Sequence, residues 1–192
     1  MPIKFQPQAG RWETVASRLV LDRSPFARLY DEDVALPDGT VIEGFARCVI
    51  TPFVITFALL EDGRVPFVRQ YRRALNDFPL ELPAGFIEFG AGENSDPLHT
   101  AQRELLEETG AEAAEWFPLG QYMMDSTKDC GTAHCFAARG ARLITAPNPG
   151  DLGELSLHLL TLEEVRQRWL AGGFPSAPTA LTVGLALARL GV

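Results

Sequence analysis

Apolar positions in the first half of the chain fall into short β-type runs separated by turn residues. Leu36-Pro37-Asp38-Gly39-Thr40 predicts a hairpin between Asp33–Leu36 and Thr40–Ile50, because Asp-Gly readily takes the backbone angles of a tight β-turn. Glu61-Asp62-Gly63-Arg64 predicts a second turn, joining a Val54–Leu60 strand to a Val65–Arg69 strand. Pro83-Ala84-Gly85 then breaks the pattern, and nothing before Asp96 has the apolar spacing of a long helix.

The pattern changes at Asp96. Asp96 is placed to cap free amides, Pro97 suits the first helical position and Gly110 supplies a left-handed stop. Further strands are predicted over roughly Trp116–Met124 and Ala133–Arg139, followed by the breaker-rich loop Pro147–Gly153. Thr161-Leu162-Glu163-Glu164 is a capping box that opens a helix ending at Gly172-Gly173, and a last helix covers Thr179–Leu190. Unequally spaced strands and helices predict α+β packing instead of a parallel βαβ series.

In the helix after Asp96, a 3.6-residue period puts Leu98, Ala101, Leu105 and Thr109 on one buried stripe. Glu104, Glu107 and Glu108 fall on the adjoining arc, close enough to converge. A solvated acidic face would cost only about 0.2–0.5 kcal/mol per like-charged pair, so the cluster alone has a bland explanation. Its place beside the core stripe, after a Gly/Pro-rich loop, argues for a function. Oxygen donors of this kind suit a hard cation, Mg²⁺ or Mn²⁺.

Composition narrows the partners. The 192 residues suit one domain with a small appendage. They carry 17 basic and 25 acidic side chains, a net charge of −8, which gives no general attraction to nucleic acid or anionic lipid. The longest apolar stretches, Phe53–Leu60 and Leu181–Leu187, are far shorter than the ~20 residues of a membrane span. With no signal-peptide pattern and only Cys48, Cys130 and Cys135, the expected compartment is the cytoplasm. Cys130, His134, Cys135 and His158 match no common zinc spacing, Asp125–Asp129 lacks the positions of an EF-hand, and Gly85, Gly90 and Gly92 have no βαβ context.

Leu82-Pro83-Ala84-Gly85-Phe86-Ile87-Glu88 followed by Arg103-Glu104-Leu105-Leu106-Glu107-Glu108-Thr109-Gly110-Ala111 resembles the signature box of the Nudix hydrolases. Trp12-Glu13, Asp38-Gly39, Gln70-Tyr71-Arg72 and Glu81-Leu82-Pro83-Ala84-Gly85 extend the likeness toward the ADP-ribose and nucleotide-sugar pyrophosphatases. The chain departs from the pattern at Ala91, where the box has a glutamate, and it spaces Gly85 from Arg103 by about four extra residues. It also carries Asp125–Cys130 where many ADP-ribose enzymes have a Ser-Pro-Gly-like turn.

The resemblance implies an α/β/α sandwich with a mixed sheet, spanning residues 46–192. Residues 1–45 would form a small N-terminal β-subdomain that dimerises. It implies that the Ala84 carbonyl, Glu104 and Glu108 bind Mg²⁺, or Mn²⁺, with Glu107 joining directly or through water and Arg103 holding the carboxylates. A catalytic base is expected at Glu154, with Asp151 in reserve. Arg72 is a candidate contact for a phosphate through bidentate guanidinium geometry, with Arg69 and Arg73 beside it and Lys128 more distant. Glu81 is either a substrate or metal contact or a structural partner for Arg72. Phe26 and Tyr30 are read as core residues before base-stacking ones. The implied reaction is metal-dependent hydrolysis of a nucleoside diphosphate linked to X, with ADP-ribose foremost. Another nucleotide, such as a dinucleotide coenzyme or an oxidised nucleoside triphosphate, and a non-catalytic nucleotide sensor are the alternatives.

Overall fold

The computed structural model describes residues 10–88, 96–128, 130–148 and 155–192. Its strands and helices divide between two compact units, one running to Thr51 and taking in Asp125–Cys130, the other formed by Pro52–Met124 and Gly131–Val192.

In the first unit, β1 (Glu13–Arg23), β2 (Ala27–Ala35) and β3 (Val41–Ile50) form an antiparallel sheet in chain order. The β2–β3 turn is the one predicted. Gly39 takes φ 86°, its amide donates to the Leu36 carbonyl at 2.9 Å, and Asp38 Oδ1 accepts from the Thr40 amide at 2.9 Å. Every residue of β1 is exposed. Two ion pairs join its strands, Arg18–Asp31 at 2.7 Å and Arg47–Glu32 at 2.9 Å. Phe26 lies in the β1–β2 turn and is 61% exposed, contrary to its expected burial. Tyr30 sits beneath the Arg47 guanidinium, 4.5 Å from ring centroid to Cζ, and Lys128 lies over the Phe45 ring at 5.7 Å.

The second unit holds two sheets. One has the order β7 (Ala84–Phe86), β4 (Phe53–Leu60), β9 (Cys130–Leu143), β8 (Ala111–Asp125). The other has the order β10 (Ser156–Thr161), β5 (Arg64–Arg69), β6 (Leu80–Glu81). Strand β4 runs parallel to β9 and antiparallel to β7, so the sheet is mixed. The turn between β4 and β5 forms as predicted, with Gly63 at φ 83°, yet its two strands enter different sheets.

Strand β4 shows why its sequence is apolar without alternation. Ile55 and Phe57 pack in a core with Val65, Phe67, Leu82, Val183 and Ala186. Ala58 and Leu60 pack with Leu105, and Val54 packs with Ala101 and Phe136. Helix α1 (Pro97–Thr109) thus covers one face and helix α3 (Ala177–Leu190) the other. A strand buried on both faces has no polar side to present. Full burial of a side chain such as Phe57 contributes about 1.5–3 kcal/mol.

Local signals set the helix ends. Asp96 Oδ1 accepts from the Leu98 amide at 3.2 Å, Pro97 follows it, and Gly110 closes α1 at φ 73° with its amide on the Leu106 carbonyl. Thr161 and Glu164 form the predicted box at the start of α2 (Leu162–Leu170). In α1 the buried stripe is Thr100, Ala101, Leu105 and Thr109, while Leu98 is only half-buried.

Candidate active site

One four-residue spacing on α1 reaches into a cleft. Glu104 and Glu108 lie one helical turn apart on α1, beside β7, which Pro83 leads into and Ala84-Gly85 begins. Strand β7 is held against β4 with Ala84 opposite Ile55 and Gly85 opposite Val54. That pairing fixes the Ala84 amide, which donates to Glu108 Oε2 at 2.9 Å. The cleft encloses a cavity of about 430 Å³ whose polar lining is Glu104, Glu108, Glu81, Arg72, Gln70, Ser176 and Thr179.

The acids in this cleft are electrostatically unsettled. Burial pushes the Glu108 carboxyl up to about 8, although the Ala84 amide pulls the other way. The Glu104 carboxylate adds to the rise, Arg72 opposes it, and Glu81 adds a smaller increment. Burial likewise raises Glu104 above the usual carboxylate range, opposed by Arg103 and aided by Glu107 and Glu88. Half-buried carboxyls whose charged forms are disfavoured by burial and by one another gain stability from an added cation.

Arg103 supplies part of that charge from outside the cleft. One guanidinium nitrogen reaches Glu104 Oε1 at 2.8 Å and the other Glu107 Oε2 at 3.0 Å. Glu107 is therefore turned toward Arg103 and does not line the cavity with Glu104 and Glu108. Inside the cleft, Arg72 is engaged too: its Nε donates to the buried Glu81 carboxylate, so of the two roles open to Glu81 the structural partnership is observed. The backbone of Arg72 is itself fixed, its amide donating to the Asp77 carbonyl at 2.9 Å.

A divalent cation fits the donors that remain. Among the described residues no three His, Cys, Asp or Glu side chains are gathered into a metal-holding group. Two carboxylates and the Ala84 backbone carbonyl do suit a hard cation that keeps several waters and takes further oxygens from a phosphate. Gly85 makes the approach feasible, because the Glu104 carboxylate occupies the volume where a side chain would begin.

Arg69 stands apart. It lines a different cavity, with Leu80, His158 and residues of α2. Glu154 and Asp151, the expected base and its reserve, lie outside the described residues, as do Ala91 and Asp129. The sequence reading missed the first turn of α3, where Ser176, Pro178 and Thr179 close one side of the cleft. The helix begins at Ala177, two residues before its expected start, and the Ser-Ala-Pro order was a usable cap signal.

Comparison with known proteins places this arrangement. The NUDIX domain profile matches residues 51–178. The chain belongs to the NUDIX domain family. It is 32% identical over 149 residues to an ADP-ribose pyrophosphatase of Mycobacterium tuberculosis, across 77% of this chain and 65% of the relative. It is 40% identical over 83 residues to an ADP-ribose pyrophosphatase of Bacillus subtilis, across 43% of this chain and 42% of the relative. The chain thus spans under two thirds of the length of these two relatives. The fold matches the crystal structure of an ADP compounds hydrolase with a TM-score of 0.76 at 15% identity, covering 97% of both chains.

Proposed function

We propose that this protein is a divalent-metal-dependent hydrolase of the pyrophosphate bond in a nucleoside diphosphate linked to X, acting on ADP-ribose or a related nucleotide sugar. The observation that carries this reading is the convergence of Glu104 and Glu108 with the Ala84-Gly85 backbone in one cleft. The names of the two ADP-ribose pyrophosphatases above support the substrate class.

In this mechanism Glu104, Glu108 and the Ala84 carbonyl hold Mg²⁺ or Mn²⁺. When bound, such a cation neutralises the diphosphate against the −8 chain and lowers the pKa of an attacking water. Arg103 keeps Glu104 and Glu107 in place. Glu107 adds negative charge next to Glu104 without entering the cleft. Arg72, steadied by Glu81, presents its remaining guanidinium nitrogens to a phosphate. Glu154, two residues before β10 in the sequence, takes the proton of the water that adds across the P–O–P bridge. The products are a nucleoside monophosphate and phosphorylated X.

The division into an N-terminal subdomain, residues 1–45, and a catalytic domain, residues 46–192, belongs to the same proposal, as does a cytoplasmic homodimer formed through the N-terminal strands. Among the described residues no helix is long and apolar enough to cross a membrane. Incubation with a nucleotide-sugar panel and Mg²⁺, with products read by mass spectrometry, tests the reaction. AMP and ribose 5-phosphate from ADP-ribose are expected. Binding without turnover across the panel would replace the hydrolase with a nucleotide sensor.

A further inference from the structure

A second cavity lies on the reverse side of the strands that carry Glu81, and it has the opposite electrostatic character. Its lining comes from two periodicities meeting. Helix α2 contributes Glu164, Gln167 and Arg168, followed by its cap residue Ala171, at the i, i+3, i+4, i+7 spacing of one helical face. Strand β10 contributes His158 and Leu160, two apart and so on one strand face. Arg69 of β5 and Leu80 of β6 complete it, with Gly173 at the edge.

Register shows that this is not the acidic cleft. Arg69 pairs with Leu80 and with Ser156, whereas Val68 pairs with Glu81. Residues opposite each other in an antiparallel ladder share a face, and successive residues alternate. Arg69 and Leu80 therefore face one cavity and Glu81 faces the other.

The positive charges in this second cavity are only loosely engaged. Arg18, Arg47, Arg64, Arg72, Arg103 and Arg142 each pair with a carboxylate. Among the described residues Arg69 has no carboxylate partner, and Arg168 is drawn only electrostatically to Glu164, one turn before it on α2; both line this hollow. Glu164 is the one acid among the lining residues; its Oε2 accepts from the Thr161 amide and hydroxyl, each at 2.8 Å, and Arg168 also holds its carboxyl low. Gln167 is held by Glu163 at 2.8 Å, and His158 Nε2 lies 3.0 Å from Ser156 Oγ. Below the polar groups the floor is apolar, Leu80 and Leu160.

We infer that Arg69 and Arg168, with His158, form a binding site for a phosphate group, carried by a small metabolite or free in solution. Guanidinium is the side chain best matched to phosphate oxygens, and two of them against the single carboxylate of Glu164, on a chain of net charge −8, form a local reversal of the surrounding potential. The site stands whether or not the acidic cleft is catalytic, because it shares no lining residue with that cleft.

The test uses isotope-labelled full-length protein in chelator, titrated with inorganic phosphate in one arm and glycerol phosphate in the other. Saturable amide shifts at Ser156, His158 and Gly173, with Gly85 and Glu104 unmoved, are expected. The Arg69→Gln/Arg168→Gln double variant, both positions being exposed, should keep its fold by circular dichroism and bind at least about tenfold more weakly. Tighter binding of the ester supports a metabolite and equal binding supports free phosphate; either order supports the site. No saturable response, shifts confined to Gly85 and Glu104, or unchanged affinity in the double variant would overturn it.

Discussion

The Glu104 carboxylate occupies the place where a side chain on Gly85 would begin. A Cβ built on Gly85 would stand 2.0 Å from the Glu104 carboxyl carbon and 2.1 Å from its Oε1. The close packing of loop backbone on helix carboxylate therefore depends on the absence of a single methyl group.

Gly85→Ala should push the Glu104 carboxylate, the movable end of a flexible side chain, out of its place, lowering turnover with little loss of stability. Denaturant unfolding and steady-state kinetics read the two effects. A variant with native turnover would show that Glu104 need not lie against this loop.

Glu108→Gln should reduce activity by at least about a hundredfold while the chain stays folded. Its stability should carry a distinctive pH signature in metal-free protein. The Glu108 carboxyl rises from 4.5 to about 8 on folding, so between those values the folded state holds more protons than the unfolded chain. The contribution is fully present below the lower value and is lost as pH rises through the upper one. The glutamine variant should consequently gain stability over the parent at alkaline pH and lack this part of the slope. Denaturant midpoints in chelator on either side of the window measure it, and parallel curves for the two proteins would contradict the assignment.

Glu154→Gln should lower kcat more than it raises KM, because a base acts in the reacting complex and not in binding. Asp151→Asn should leave kcat near the parent value. The reverse pattern moves the base to Asp151.

The homodimer predicts its own sensitivity. Val15, Leu19 and Val20 of β1 are 57, 51 and 61% exposed, an apolar surface that a second copy would cover. Light scattering should give twice the chain mass, and Leu19→Glu should return it to one. A parent protein that runs as a single chain would remove the dimer.

Local chemistry made parts of this architecture readable in advance. The Asp38-Gly39 turn, the Asp96 and Gly110 ends of α1, and the Thr161–Glu164 box each depend on residues within a few positions of one another. Strand pairing was not readable, since β4 and β9 lie far apart in sequence and adjoin only in the folded sheet. Strands β8 and β9 also outran their predicted limits, Trp116–Met124 and Ala133–Arg139. Ladder pairing carries β9 through Gly140, the residue just past its predicted end. At the site, helical spacing brought Glu104 and Glu108 together correctly but gave no means of knowing that Arg103 would draw Glu107 away.

Because α1 is pinned at Asp96 and Gly110, its carboxylates have a fixed angular address. Inserting one residue between Asp96 and Glu104 would swing that side chain by about 100° and carry it off the cleft. Residues added ahead of Asp96 leave that angle untouched, so this chain can lengthen the segment between Gly85 and Asp96 without rotating Glu104 and Glu108 away from the cleft.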